Sequence, residues 1–213
     1  MAFIPEYSVL ISYTIAVIAL TLTPGPDMTL FLGKTLAQGK AAGIAAYLGA
    51  SSGLLVHTII VAIGLSALIS ASATAFLILK IIGCVYLLYL AYDAVRNGSS
   101  FSVQQDQTSK VAVSGVFLKG LWINLLNPKI IVFFVTFFPQ FVSANDPDAP
   151  YKFVFLGVMF VVVASPICLA LILSADKISR FLKGSPRVLR FVDWLFATVL
   201  GAFALKLLFT KAN

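Results

Sequence analysis

Two proline-containing motifs carry the residue types that a binding site for a charged solute needs. Proline lacks a backbone N–H and clashes with the preceding helical turn, so each motif is predicted to break a helix. In lipid, the freed backbone groups must be buried in protein or face water, which predicts that the first motif points inward. The first motif consists of Thr23, Pro24, Gly25, Pro26 and Asp27. The second motif consists of Asn127, Pro128 and Lys129.

Both motifs also contain residues that begin helices. Proline is favoured at the first helical position, and Asn or Gly is favoured just before it as the cap. Gly25-Pro26 and Asn127-Pro128 fit this pattern. Each motif is therefore predicted to open a half-helix whose N-terminus directs a partial positive charge at a central cavity.

Each motif places one charge directly after a proline, and the two charges are opposite. A charge inside a membrane costs about 2.5–3.5 kcal/mol on insertion scales, so Asp27 and Lys129 are predicted to face one polar cavity. The lysine and the half-helix N-termini suit a carboxylate, whereas the aspartate and the freed carbonyls suit an ammonium. This pattern favours a zwitterionic amino acid as the solute. The alternative is a buried Asp27–Lys129 pair that only stabilises the fold.

The elements that must position these residues are membrane helices. The chain is 60% hydrophobic and 11% charged, whereas soluble domains are about 25% charged. Six apolar spans of roughly membrane length are predicted. They cover residues 7–33, 42–66, 73–95, 116–142, 152–175 and 188–209. The net charge of +7 does not indicate nucleic acid binding, because the basic residues sit in short loops beside the spans.

The distribution of Lys and Arg predicts the orientation of the spans. Ten basic residues fall in the loops 1–2, 3–4 and 5–6, and three fall on the opposite side. Cytoplasmic loops carry this excess, so both termini are predicted to lie outside the cytoplasm. A second possibility stays open for the first span. It would enter the membrane and return, which gives five crossings and a cytoplasmic N-terminus.

The two motifs occupy matching places in two halves of a single membrane domain, 1–213. The predicted halves are residues 1–98 and 116–213, joined by a polar cytoplasmic linker at 99–115. Three spans per half is an odd number, so the second half is predicted to be inverted relative to the first. Inverted three-helix repeats with broken first helices are typical of secondary transporters, which bind their substrates at the repeat interface.

Further short segments follow one another along nearly the whole chain. They are the residues Thr23–Met28, the glycines Gly43, Gly49, Gly53 and Gly64, the run Gly83–Tyr89, Asn124 with Asn127-Pro128-Lys129, and Phe138-Pro139-Gln140-Phe141. Together they resemble the LysE/RhtB family of bacterial amino-acid exporters. The resemblance implies proton-driven export across the inner membrane, and it adds Asn124 to the candidate substrate-binding residues. The TPGPD segment is most similar to the threonine/homoserine/homoserine-lactone efflux branch.

Three other residues, Gly49, Gly53 and His57, also lie in the predicted spans. Gly49 and Gly53 form a GxxxG pattern, which favours close helix packing. The only histidine, His57, would be a proton relay, as its titration near neutrality allows, or a hydrogen-bonded core residue. The expected partners are an amino acid, protons and lipid, and a homo-oligomer stays open.

Other function classes fit the sequence less well. A single His and a single Glu cannot form a His-rich metal centre, and no ATP-binding loop is present; neither a cofactor nor a metal is expected. An intramembrane enzyme would need a nucleophile with its base. A redox carrier would need cysteines at equivalent places in both halves, which Cys84 and Cys168 are not. The main alternative is a transporter of another small solute or ion.

Overall fold

A computed structural model describes residues 4–71, 73–97, 112–142 and 146–209, and regular structure in this part of the chain is entirely helical. Most of the predicted linker, residues 99–111 of 99–115, lies outside the described residues. The α-helices are α1 (Tyr7–Leu22), α2 (Pro26–Gln38), α3 (Lys40–Ala71), α4 (Ala73–Arg96), α5 (Val113–Leu125), α6 (Pro128–Val132), α7 (Ala149–Leu173), α8 (Ala175–Gly184) and α9 (Pro186–Phe209). A π-helical segment (Phe133–Phe137) and a 3-10 turn (Phe138–Phe141) continue α6.

The first predicted span is divided at its proline motif. α1 ends at Leu22, the extended residue Gly25 precedes α2, and Pro26 occupies the beginning of α2. The two helices meet at an angle of 52°. The division follows from the sequence, because neither proline has the N–H that a continuous helix would require.

The fourth predicted span is divided in the same way. α5 ends at Leu125, and the Asn127 side chain caps α6 by accepting a hydrogen bond from the backbone N–H of Lys129 at 3.1 Å. Pro128 stands at the first position of α6. The segment Pro128–Phe141 is bent by 50° from α5. Both breaks therefore fall where the proline motifs predicted them.

Several helices are long and apolar enough to cross a membrane. In the described chain these are residues 40–64 of α3 and the whole of α7, and each bent pair also qualifies if it is counted as one span. The helices α4 and α9 are 24 residues long and occupy the third and sixth predicted spans. The total of six crossings and the inverted relation of the halves remain predictions.

The helices α3 and α5 approach each other at glycines. A Cβ added to Gly49 would lie 2.0 Å from the carbonyl oxygen of Phe117, and one added to Gly120 would lie 2.1 Å from that of Ala46. Such distances are shorter than any van der Waals contact, so only glycine fits at either position. The contact fixes α5, and with it the second proline motif, against α3.

An aromatic cluster fills the space beyond the second break. The rings of Phe133, Phe134, Phe137 and Phe138 are buried, and the Tyr13 hydroxyl of α1 donates a hydrogen bond to the Leu156 carbonyl of α7 at 2.9 Å. Buried aromatic side chains contribute large apolar contact areas. This cluster joins α1 and α7 to the irregular helix that follows the second proline motif.

Two sequence-based assignments are corrected. Lys34 is one of the ten basic residues predicted in loops, in the loop between the first and second spans, but α2 extends to Gln38 and the lysine lies within it, 3% exposed. The turn into α3 is made by Gly39 alone, whose φ of +91° favours glycine. The predicted loop between the fifth and sixth spans contains the ten-residue helix α8.

Candidate functional site

A cavity lies where the two broken spans meet α3 and α7. Its volume is about 60 Å³, measured as the space open to the centre of a water molecule. One water needs about 10–15 Å³ by this measure, so the cavity has room for roughly four to six waters or a solute of similar size. Its polar lining comprises Thr21, Thr23, Asp27, Tyr47, Ser51, Asn124 and Lys129.

The carboxylate of Asp27 is held by two amides from the second motif. One oxygen, Oδ2, accepts hydrogen bonds from Asn127 Nδ2 at 2.9 Å and from Asn124 Nδ2 at 3.1 Å. The other oxygen, Oδ1, is buried without a hydrogen-bond partner. Asp27 lies in the first turn of α2, where the helix dipole favours a negative charge. Its free oxygen is available to a proton or to a donor group on a ligand.

The ammonium of Lys129 replaces a backbone donor that a proline lacks. In a continuous helix the Leu20 carbonyl would accept a hydrogen bond from the N–H of residue 24, but residue 24 is proline. Lys129 Nζ donates to this carbonyl at 3.2 Å and to the Thr23 carbonyl at 3.0 Å. A lysine has three N–H donors, so one remains for a ligand in the cavity.

The structure gives Asp27 and Lys129 separate partners within one cavity. The aspartate is bound by side-chain amides, and the lysine is bound by carbonyls at the end of α1. The direct ion pair that was the structural alternative is therefore not the arrangement seen. Each charge nevertheless acts on the other electrostatically across the cavity.

Gly25 lies against the lysine. A Cβ added at this position would be 3.1 Å from Lys129 Nζ. The backbone at Gly25 is extended, with φ −170°, so any residue could adopt it and the glycine serves to make room. The Lys129 ammonium can therefore come within hydrogen-bond distance of the carbonyls at the end of α1.

The predicted site residues divide into two groups. Four of them line the cavity: Thr23, Asp27, Asn124 and Lys129. The other five flank it and shape the breaks: Pro24, Gly25, Pro26, Asn127 and Pro128. Asn127 is buried and reaches the cavity wall indirectly, through its hydrogen bond to Asp27.

Ser51 and Tyr47 of α3 were not among the predicted residues. Ser51 is 7% exposed and its Oγ has no hydrogen-bond partner, and the same holds for Oδ1 of Asn124, which is 1% exposed. An unpaired buried polar group costs about 1–3 kcal/mol. The sequence gives no specific signal for Ser51, because a serine in an apolar helix commonly bonds to its own backbone, as the neighbouring Ser52 does.

The remaining wall of the cavity is apolar. It is formed by Leu20, Met28, Phe31, Leu54, Ile130, Phe160, Ala164, Cys168 and Leu171. At one side of this wall, the Tyr47 hydroxyl forms a hydrogen bond with the Ser165 hydroxyl and links α3 to α7. The cavity therefore combines a charged end with a wall suited to an uncharged group.

His57 lies next to the site but outside the cavity lining. Its ring stacks on Phe134 with centroids 5.5 Å apart, and it lies beside the backbone of Asn124. Its Nε2 is buried without a hydrogen-bond partner. This position leaves both interpretations, proton relay and core histidine, as predictions.

Possible metal-ligating side chains lie apart from one another in the part of the chain that the structure describes. There, His, Cys, Asp and Glu side chains form no cluster of three or more that could hold a metal ion. The chemistry of the cavity is that of hydrogen bonds and opposite charges.

Comparisons with known proteins bear on this site. The LysE type translocator family profile matches residues 18–211. A homoserine/homoserine lactone efflux protein of Salmonella typhimurium is 28% identical over 188 residues, which cover 88% of this chain and 90% of that protein. A leucine efflux protein of Klebsiella pneumoniae is 27% identical over 204 residues, covering 95% and 96%. A membrane protein of Vibrio cholerae is 28% identical over 207 residues, covering 97% and 100%. No solved structure matches at a significant level.

Proposed function

Because this chain belongs to the LysE type translocator family, we propose that it exports a neutral amino acid or a derivative of one from the cytoplasm in exchange for protons. The family assignment agrees with the resemblance predicted from the sequence motifs. The chain is a multi-pass membrane protein, and its place is the bacterial inner membrane. Transport is then the function that the cavity serves.

One observation carries this proposal: the two broken spans bring opposite charges to one cavity. Asp27 comes from the first motif and Lys129 from the second, and both line the cavity. An amino acid carries an ammonium and a carboxylate on neighbouring carbons, so it presents the complementary pair of charges. Discontinuous helices that direct polar groups at a central substrate are typical of secondary transporters.

Asp27 Oδ1 supports the exchange of substrate for protons. This oxygen has no partner in the protein, so it can accept either a proton or the substrate ammonium. It cannot hold both, because a protonated carboxyl has lost the charge that attracts the ammonium. Proton entry would then release the ammonium, and substrate entry would release the proton. Lys129 retains one N–H donor for the substrate carboxylate.

The apolar wall supports an uncharged side chain on the substrate. The lining side chains of Phe31, Phe160 and Leu171 offer no carboxylate and no hydrogen-bond acceptor to a cationic side chain. The named relatives export leucine and homoserine or its lactone, and these solutes have uncharged side chains. A neutral substrate class therefore agrees with both the cavity and the relatives.

We place the cavity between two inverted halves, residues 1–98 and 116–213, with six crossings in total. In this arrangement the substrate site is reached alternately from the two sides of the membrane as the halves move about it. The first predicted span of each half is broken and bent, by 52° and by 50°, and this similarity supports the proposal.

Efflux from preloaded cells tests the function. Cells that produce the protein are loaded with labelled leucine, homoserine, threonine, lysine and arginine, and efflux is followed with and without a protonophore. We expect faster efflux of a neutral member, lost with the protonophore. Asp27→Asn should abolish this efflux and leave membrane insertion intact, whereas the matched control Asp93→Asn, outside the cavity, should transport normally.

Two outcomes would contradict the proposal. Full efflux by a well-inserted Asp27→Asn variant would remove Asp27 from the mechanism. Absence of accelerated efflux for every amino acid, with the protein confirmed in the membrane, would favour another small solute or ion.

A further inference from the structure

Three buried oxygens without hydrogen-bond partners belong to residues that line the cavity. They are Asp27 Oδ1 from α2, Ser51 Oγ from α3 and Asn124 Oδ1 from α5. Buried polar atoms in native proteins are nearly always paired. Asp27 Oδ1 and Asn124 Oδ1 can only accept, and the Ser51 hydroxyl can accept as well as donate, so the three atoms indicate a ligand that donates hydrogen bonds.

The Asn124 amide has a fixed orientation. Its Nδ2 donates to Asp27 Oδ2 at 3.1 Å, so Oδ1 must be the free atom and can only accept. Oδ1 lies against α3 at Gly53, where an added Cβ would be 2.6 Å away. Gly53 therefore makes room for the acceptor. Ser51 belongs to the same helix, and it lines the cavity together with Asn124.

We propose that Ser51, Asn124 and Asp27 together form a pocket for a primary ammonium group, and that this pocket selects substrates by the number of N–H donors they carry. The proposal rests on the amino-acid export proposed above and deepens it. A primary ammonium has three N–H groups and one positive charge. The pocket offers three acceptors, of which one carries a negative charge.

This pocket would distinguish a primary ammonium from other groups by its N–H donors as well as by its charge. A trimethylated ammonium keeps the positive charge but has no N–H donor, so Ser51 and Asn124 would stay unpaired. A 2-hydroxy acid keeps one donor but has no charge to meet Asp27. Both analogues keep the carboxylate and the side chain. The 2-hydroxy acid also matches the amino acid in size, whereas the trimethylated analogue is larger by three methyl groups, so the two analogues together separate the loss of charge and donors from added bulk.

Ser51→Ala tests the pocket against the adjacent control Ser52→Ala. Ser52 donates its hydroxyl to the Leu48 carbonyl at 3.0 Å and does not line the cavity. In proteoliposomes, Ser51→Ala should raise the leucine or homoserine concentration for half-maximal transport about tenfold, the loss of one hydrogen bond to a charged group. The maximal rate should stay near that of the unmodified protein, and Ser52→Ala should change neither value.

A second measurement uses the unmodified protein and stands even if Ser51→Ala fails to fold. The purified protein is heated with leucine, with N,N,N-trimethylleucine and with 2-hydroxy-4-methylpentanoate, and the same series is made for homoserine. Ligands that bind the folded state raise its melting temperature. We expect the amino acids to stabilise the protein at concentrations at least about tenfold lower than either analogue does.

The outcomes separate this inference from the proposed function. Amino-acid transport with equal binding of the trimethylated analogue, or with an unchanged half-maximal concentration in Ser51→Ala, would overturn the ammonium pocket and leave the export function standing. No stabilisation by any primary amine and no transport would overturn both.

Discussion

At the scale of single residues, Asp27 and Lys129 carry opposite charges into one cavity and are each held by neutral groups. Amide N–H groups of Asn124 and Asn127 bind the carboxylate, and carbonyls at the end of α1 bind the ammonium. Hydrogen bonds to charged groups contribute about 1.5–3 kcal/mol. The carboxylate is thus stabilised by hydrogen-bond donors and the ammonium by hydrogen-bond acceptors. If the two charged residues were exchanged, each would face the wrong kind of partner.

A charge swap is therefore expected to fail. In Asp27→Lys with Lys129→Asp, the new carboxylate would face the carbonyl oxygens of Leu20 and Thr23, which cannot donate. We expect the double variant to give no more inserted, folded protein than either single variant, measured by size-exclusion chromatography of detergent extracts. Recovery of folded protein to the unmodified level would show instead that the two side chains stabilise each other directly.

The sequence was sufficient to identify both charged residues and the two helix breaks, because proline chemistry is local. It was not sufficient to identify their partners. That Lys129 would bind the Leu20 carbonyl depends on how the two motifs approach in space. Ser51 was missed for a similar reason, since a serine in an apolar helix commonly bonds to its own backbone, as Ser52 does.

At the scale of elements, the contact between α3 and α5 sets the geometry of the cavity. Gly49 and Gly120 let the backbones of the two helices meet, and Gly53 admits the Asn124 side chain. In lipid, close packing of this kind is a main source of helix association, because no hydrophobic effect operates between the helices. Gly49 and Gly120 are thus needed for the packing of the two helices. Gly53 affects the site, because it leaves room for the Asn124 side chain.

Gly49→Ala is predicted to separate these helices. The new Cβ would lie 2.0 Å from the Phe117 carbonyl oxygen and 2.8 Å from the Leu121 nitrogen, and neither backbone atom can move alone. Overpacking costs about 1–3 kcal/mol, so the melting temperature of the purified protein should fall. Gly64→Ala on the same helix is the control, because nothing lies within 4 Å of its added Cβ. Equal melting temperatures for the two variants would argue against the close α3–α5 contact.

Two elements could not be predicted from hydropathy. Ala175–Gly184 forms α8 within a segment assigned as a loop, because its charged residues Asp176, Lys177 and Arg180 exclude it from a membrane span. The π-helical segment Phe133–Phe137 packs the ring of Phe133 against Tyr13 and Phe160. Periodicity in one sequence does not report such packing.

At the scale of the whole molecule, the two proline breaks occupy matching places in the chain, and a side chain from the second half contacts the first break. Pro24 leaves the Leu20 carbonyl without its helical donor, and Lys129 supplies one. Pro128 likewise cannot donate to the Asn124 carbonyl, which instead accepts a hydrogen bond from the backbone N–H of Asn127 at 3.1 Å. The bends of 52° and 50° are nearly equal. Similar bends at matching places in the chain are what a twofold relation between inverted halves would produce.

The orientation of the chain in the membrane tests the inverted relation of the two halves. This orientation depends on whether the first broken span crosses the membrane. With a rise of 1.5 Å per residue, α1 is about 24 Å long, and the bent α2 extends the pair to about 36 Å along the axis of α1. A bilayer core is about 30 Å thick, so the pair is long enough to cross.

We therefore expect protease to reach short tags at both termini from the outer face of intact spheroplasts, and a tag inserted at residue 104 only in inverted vesicles. An N-terminal tag protected in spheroplasts, with the C-terminal tag still cleaved, would mean that the first span returns to its own side. The two halves would then differ in topology, and the inverted repeat would have to be abandoned while the cavity itself stayed in place.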